Sequence, residues 1–132
     1  QHNWQPRQVI SLLNEWKVAR PTFGAMLERY GITEPRLYPA GFPHNNCGGF
    51  CVRAGQTQFA TLLERFPGTY AYHEAWQEGV MARNPKLKPF LRRKVDGVTT
   101  YITLRLFRLM IEAKAIEIEP FDFGGCGCFT DE

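Results

Sequence analysis

Four cysteines are the residues of this 132-residue chain whose types and spacing point most directly to chemistry. Cys47 and Cys51 form a CxxxC pair inside His44-Asn45-Asn46-Cys47-Gly48-Gly49-Phe50-Cys51, and Cys126 and Cys128 form a CxC pair near the end of the chain. Two close pairs brought together by a fold surround one metal centre with soft thiolate donors, which suits either a structural zinc ion or an iron-sulfur cluster. Zinc knuckles commonly use CxxC, and neither pair has that gap. The wider and narrower gaps here are easier for a cluster, whose irons present separated ligand positions. Gly48, Gly49, Gly124, Gly125 and Gly127 let backbone lie close to a bulky inorganic core and offer amide protons to its sulfurs. The expectation is therefore that Cys47, Cys51, Cys126 and Cys128 hold a [4Fe-4S] cluster. Zinc is the alternative, and redox-active or simply buried thiols are the reading without a metal. His44 is read as a hydrogen-bond donor beside the ligands or an exposed loop residue, and less readily as a ligand itself.

Charge is spread unevenly along the chain. The net charge is only +3, but residues 1–111 carry 15 Lys or Arg against 7 Asp or Glu, whereas residues 112–132 carry one against six. A basic body suits phosphate-bearing or nucleic-acid partners, although such a surface is more often plainly solvated. The stretch 83–94 concentrates six cations in twelve residues with no acid. It can hold phosphate or sulfate groups or a nucleic-acid backbone, or it can be a hairpin edge kept from aggregating by its charges. Tyr70, Tyr72 and Trp76 have rings that stack on bases, but their helical spacing is more typical of a core. Four cysteines are too few for a disulfide scaffold, so a reducing, cytoplasmic setting is expected. No apolar run reaches the length of a membrane span, and no signal segment opens the chain. A chain that begins with Gln1 is expected to be a processed product or an excised domain.

The elements that must position these residues read as mainly α, with one small β-hairpin, in a single compact domain over residues 1–132 closed by the four-cysteine site. Val9, Leu12, Leu13 and Trp16 predict an inward-packed helix over 4–16. Phe23, Met26, Leu27 and Tyr30 predict one over 22–30 that stops at Gly31. Prolines 35, 39 and 43 exclude regular structure up to the first cysteine pair. A helix over 52–66 is predicted from Phe59, Leu62, Leu63 and Phe66, closed by Pro67-Gly68, so that the cysteine pair sits at its N-terminus, where the helix dipole favours an anionic cluster near Arg53. Thr69 is expected to cap a helix to about Met81 with Tyr72, Ala75, Trp76 and Val80 inward, forming a hairpin with the one before it. Residues 90–94 and 98–102 flank Asp96-Gly97 as a β-hairpin. Thr103 caps a last helix with Leu104, Phe107, Met110 and Ile111 buried.

The runs HNNCGGFCVRAGQ, LLERFPGTYAYHE, FLRRKVDGVTTYITLRLFR and GGCGCF together resemble the C-terminal half of phosphoadenosine phosphosulfate (PAPS) reductase family proteins. They are most similar to the phage and bacterial branch that includes the sulfur-inserting enzyme of DNA phosphorothioation. The resemblance covers the chain from Trp4 onward. It implies an iron-sulfur cluster on Cys47, Cys51, Cys126 and Cys128, and a role in sulfur metabolism or in sulfur modification of nucleic acid. It implies as partner an N-terminal PP-loop nucleotide-binding domain or chain with an SGGxDS-type signature, and no SGGxDS occurs here. Arg53, Arg92, Arg93 and Lys94 are expected to meet the phosphate or sulfate of a nucleotide, or nucleic acid. No catalytic base or nucleophile is assigned, and the chain is not expected to turn over substrate without a PP-loop domain. A cysteine not ligated to metal would be the candidate nucleophile. The rival from another class is a non-enzymatic, zinc-stabilised module that binds nucleic acid or a partner protein through its basic face.

Overall fold

The structure is a computed structural model that describes residues 10–95, 97–120 and 122–125. The chain divides into two compact units, residues 1–34 and 35–132.

In the first unit, helix α1 (Leu12–Glu15) is a single turn, and it stops where Lys17 takes a positive φ of 52°. Leu12 and Trp16, expected to face inward along a helix over 4–16, are exposed, and Val9 lies outside the described residues. Four residues offer too few internal hydrogen bonds to sustain a longer helix. Helix α2 (Phe23–Arg29) follows a short 3-10 turn over Arg20–Thr22. It stops as expected at Gly31, whose φ of 63° lets Gly31 N–H reach Glu28 O and Ile32 N–H reach Leu27 O.

The second unit contains α3 (Gln56–Arg65), α4 (Pro67–Arg83), β1 (Leu91–Val95), β2 (Val98–Ile102) and α5 (Leu104–Glu112). The mainly helical class with one small hairpin is what the structure shows. β1 and β2 pair antiparallel from Leu91↔Ile102 to Val95↔Val98, the expected hairpin, with Gly97 at a φ of 81°, while Asp96 lies outside the described residues. Thr103 caps α5, its hydroxyl accepting Leu106 N–H at 3.1 Å.

Three helix readings need correction. α3 begins at Gln56 and not at Val52, because residues 51–55 are held in a turn and an extended bridge. Thr69 does not cap α4 but lies within its first turn: α3 closes before Pro67-Gly68 as expected, and Pro67 then opens α4 at a first-turn position where its missing N–H costs nothing. The side of α4 that faces the core is that of Tyr70 and Gln77, which are buried, while Tyr72, Ala75 and Trp76 are exposed.

Leu37, Phe42, Phe59, Leu62, Tyr70, Leu91, Leu104 and Phe107 form the buried core. Each wholly buried side chain of this size contributes roughly 1.5–3 kcal/mol. Two polar side chains of α4 are built into it. Tyr70 OH donates to Leu104 O at 2.7 Å, and Gln77 Oε1 accepts Leu104 N–H at 2.7 Å. The first residue of α5 is thereby fixed from both its backbone groups. Beside them Arg108 makes a two-pronged pair with Glu74, both bonds at 2.8 Å. No helix among the described residues is long and apolar enough to cross a membrane.

Candidate metal and anion site

The loop that carries the first cysteine pair is made of two consecutive turns. Cys47 O accepts Phe50 N–H at 3.0 Å, and Cys51 O accepts Ala54 N–H at 2.9 Å. Gly48 and Gly49, the central residues of the first turn, both have positive φ, 59° and 87°. Gly49 is held further: its carbonyl accepts Gln58 Nε2 at 3.1 Å, and a Cβ on it would stand 3.0 Å from Leu62 Cδ1 and 3.1 Å from Phe42 Cε1. Conformation and space therefore both demand glycine there. Phe50 anchors the other end, stacked face to face on His73 at 3.6 Å and edge-on to Phe59 and Phe90. Upstream, Asn45 Oδ1 accepts Leu37 N–H at 3.3 Å and His44 is buried, which corrects the reading of it as an exposed loop residue. Cys47 and Cys51 are themselves half-buried.

The acidic tail returns to this loop. Asp122 accepts Gln56 N–H through Oδ2 at 3.0 Å and Thr57 N–H through its main-chain oxygen at 3.0 Å, and Thr57 Oγ1 donates to Glu119 O at 2.9 Å. The anion at the N-terminus of α3 is thus the Asp122 carboxylate. The expectation that the first cysteine pair occupies that helix end is corrected, since Cys51 lies five residues before Gln56. Further along, Gly124 bridges Ala54 antiparallel, and Gly125 N–H donates to Arg53 O at 3.0 Å. Gly124 sits at a φ of 80° against the backbone of residues 53–55, where a Cβ would overlap Arg53 O.

The basic residues singled out in the sequence converge on the same place. Arg92, Arg93 and Lys94 of β1 line an open cleft of about 240 Å³ with Gln56, Thr99 and Asp122. A Cβ placed on Gly125 would stand 3.7 Å from Arg53 Nη2 and 4.0 Å from Arg92 Nη2, so two guanidinium groups flank the last described residue. Among the described residues, Arg53, Arg92, Arg93 and Lys94 make no ion pair within 4.0 Å. Three lining cations, Arg92, Arg93 and Lys94, against the carboxylates of Glu119 and Asp122 leave the cleft positive, with donors suited to phosphate or sulfate oxygens.

Cys126 and Cys128 lie outside the described residues, and among the described residues no three His, Cys, Asp or Glu are gathered as a metal site. Asp122, Gln56 and Gln58 were missed by sequence reasoning. Asp122 meets its partners across 66 positions, and nothing in Phe121-Asp122-Phe123 announces a helix cap for a helix that begins so far upstream. No family model, curated protein or solved structure matches the chain.

Proposed function

We propose that residues 35–132 are the cysteine-rich domain of a PAPS reductase-like or sulfur-transferring protein, closed by a [4Fe-4S] cluster on Cys47, Cys51, Cys126 and Cys128. One observation carries this reading. The Gly125 N–H to Arg53 O bond of 3.0 Å lays the residue before Cys126 beside the second residue after Cys51, across a long intervening chain. The two described cysteines support this reading: they are half-buried, their backbone oxygens are engaged in their own turns, and Arg53 follows close behind them with positive charge that thiolates would favour.

A bound cluster would supply electron-transfer chemistry for sulfur. The chain's own residues would do the binding. Arg53, Arg92, Arg93 and Lys94 would hold the phosphate or sulfate of a nucleotide, or a nucleic-acid backbone. The nucleotide itself would be presented by a PP-loop domain or chain, in the cytoplasm. No side chain of the cleft is assigned as base or nucleophile.

The test is the visible absorption spectrum and metal content of protein purified without oxygen, with Cys47→Ser and Asp122→Ala beside the parent. A broad violet charge-transfer band, weakened in Cys47→Ser, is the expected result. Asp122→Ala removes no ligand but frees the tail from α3, and it should lose iron faster than the parent. A colourless protein that carries zinc would transfer the site to the zinc-stabilised binding module. A protein that takes up neither metal, even on anaerobic reconstitution, would end both metal readings.

A further inference from the structure

Helix α4 carries two aromatic rings that the core does not use. Tyr72 is 67% and Trp76 50% exposed, although the helix has an inward side already filled by Tyr70 and Gln77. With His73 and Phe50 they line an open depression of about 250 Å³. Its floor is braced, because His73 stacks on Phe50 with the rings 6° from parallel and meets Tyr72 edge-on at 5.1 Å. A hollow of this size is smaller than the roughly 300–1,000 Å³ that encloses a drug-sized ligand, and it suits a single flat ring. Tyr72 and Trp76 are one helical turn apart, about 6 Å along the axis, so each offers its own ring face.

The surroundings decide what kind of ring it takes. Thr69, Ala75 and Gly79 flank the aromatics with small side chains, and a Cβ at Gly79 would meet nothing within 4 Å, so the ring faces stay open and little further apolar area is offered to a protein partner. The acids of α4 are turned elsewhere: Glu74 is bonded to Arg108, and Glu78 to Arg105 at 3.1 Å. Arg83 continues the Tyr72–Trp76 stripe at the end of the helix, and Lys86 and Lys88 follow it in sequence, with Lys88 Nζ 5.9 Å from the centre of the Tyr101 ring. Stacking surfaces beside a cationic, acid-free track fit a strand whose bases are exposed and whose backbone is anionic. We propose that the Tyr72–Trp76 face of α4 stacks the unpaired bases of a single-stranded nucleic acid, with Arg83, Lys86 and Lys88 on its phosphates. The proposal stands independently of the cysteine chemistry.

Fluorescence anisotropy of short dye-labelled oligothymidylate, oligouridylate and a duplex of equal length, titrated with the full chain at low and at higher salt, tests it. The single strands should bind more tightly than the duplex, and a difference between the two single strands would report the sugar or the thymine methyl group. Trp76→Ala and Tyr72→Ala should each weaken single-strand binding by roughly tenfold, whereas Trp76→Phe, which keeps a ring, should lose much less. Lys86→Ala with Lys88→Ala should flatten the salt dependence instead. Both rings are exposed, so circular dichroism should be unchanged in every variant. Parental affinity in Trp76→Ala and Tyr72→Ala, preference for the duplex, or no binding of any oligonucleotide at low salt would overturn the proposal.

Discussion

Gly49 concentrates at one residue the demands that the cysteine loop makes on the chain. Its φ of 87° costs a side-chain-bearing residue about 1–2 kcal/mol, and a methyl group 3.0 Å from Leu62 and 3.1 Å from Phe42 adds the penalty of overfilling a packed site. Gly49→Ala should therefore lower stability by about 2–4 kcal/mol, read as a shift in the urea midpoint with little change in slope. Gly48, also at positive φ, has nothing within 4 Å of its missing Cβ, so Gly48→Ala should cost only the conformational part, about 1–2 kcal/mol. Equal losses in the two variants would show that packing around Gly49 does not fix the loop. The Gly-rich composition between Cys47 and Cys51 was plain in the sequence. What it could not display is that the two glycines differ, because that difference is made by Phe42 and Leu62 from other parts of the unit.

At the scale of elements, α4 is the piece that positions α5, and it does so with polar groups. Leu104 is wholly buried, and its N–H, which has no partner within the helix it starts, is taken by Gln77 Oε1 at 2.7 Å. Gln77→Leu keeps the volume roughly and strands that donor, so it should destabilise the protein by about 1–3 kcal/mol, measured by thermal or urea unfolding. A variant as stable as the parent would mean that water replaces the amide oxygen. Apolar periodicity looks for the inward side of a helix among its hydrophobic residues, and here Tyr72 and Trp76 outweighed Gln77 in that reading although they face solvent. Elements whose signals are local were legible: β1 and β2 pair as a hairpin, Thr103 caps α5, and Gly31 ends α2. The start of α3 was not, because it is set by Asp122 from the far end of the chain.

Across the whole second unit, the same division between paired and unpaired charge sets how stability should respond to acid. The hydrogen bonds from Arg108 hold the Glu74 carboxyl below its ordinary value of 4.5, and burial against Phe50 holds the His73 imidazole below 6.5. Both groups bind protons more readily in the unfolded chain, so both contributions are complete at high pH and are lost as pH falls. The His73 loss begins as pH drops through 6.5 toward the lowered folded value, and the Glu74 loss begins below 4.5. Urea midpoints measured from about pH 8 to about pH 3 should therefore fall in two stages. His73→Phe preserves a ring on Phe50 and should remove the first stage alone. Glu74→Gln should lower the midpoint near neutrality and flatten the second, since its pairing with Arg108 is then gone at every pH. A first stage that survives His73→Phe would locate that titration elsewhere in the chain and would separate the Phe50–His73 stack, and the depression that it braces, from the acid sensitivity of the fold.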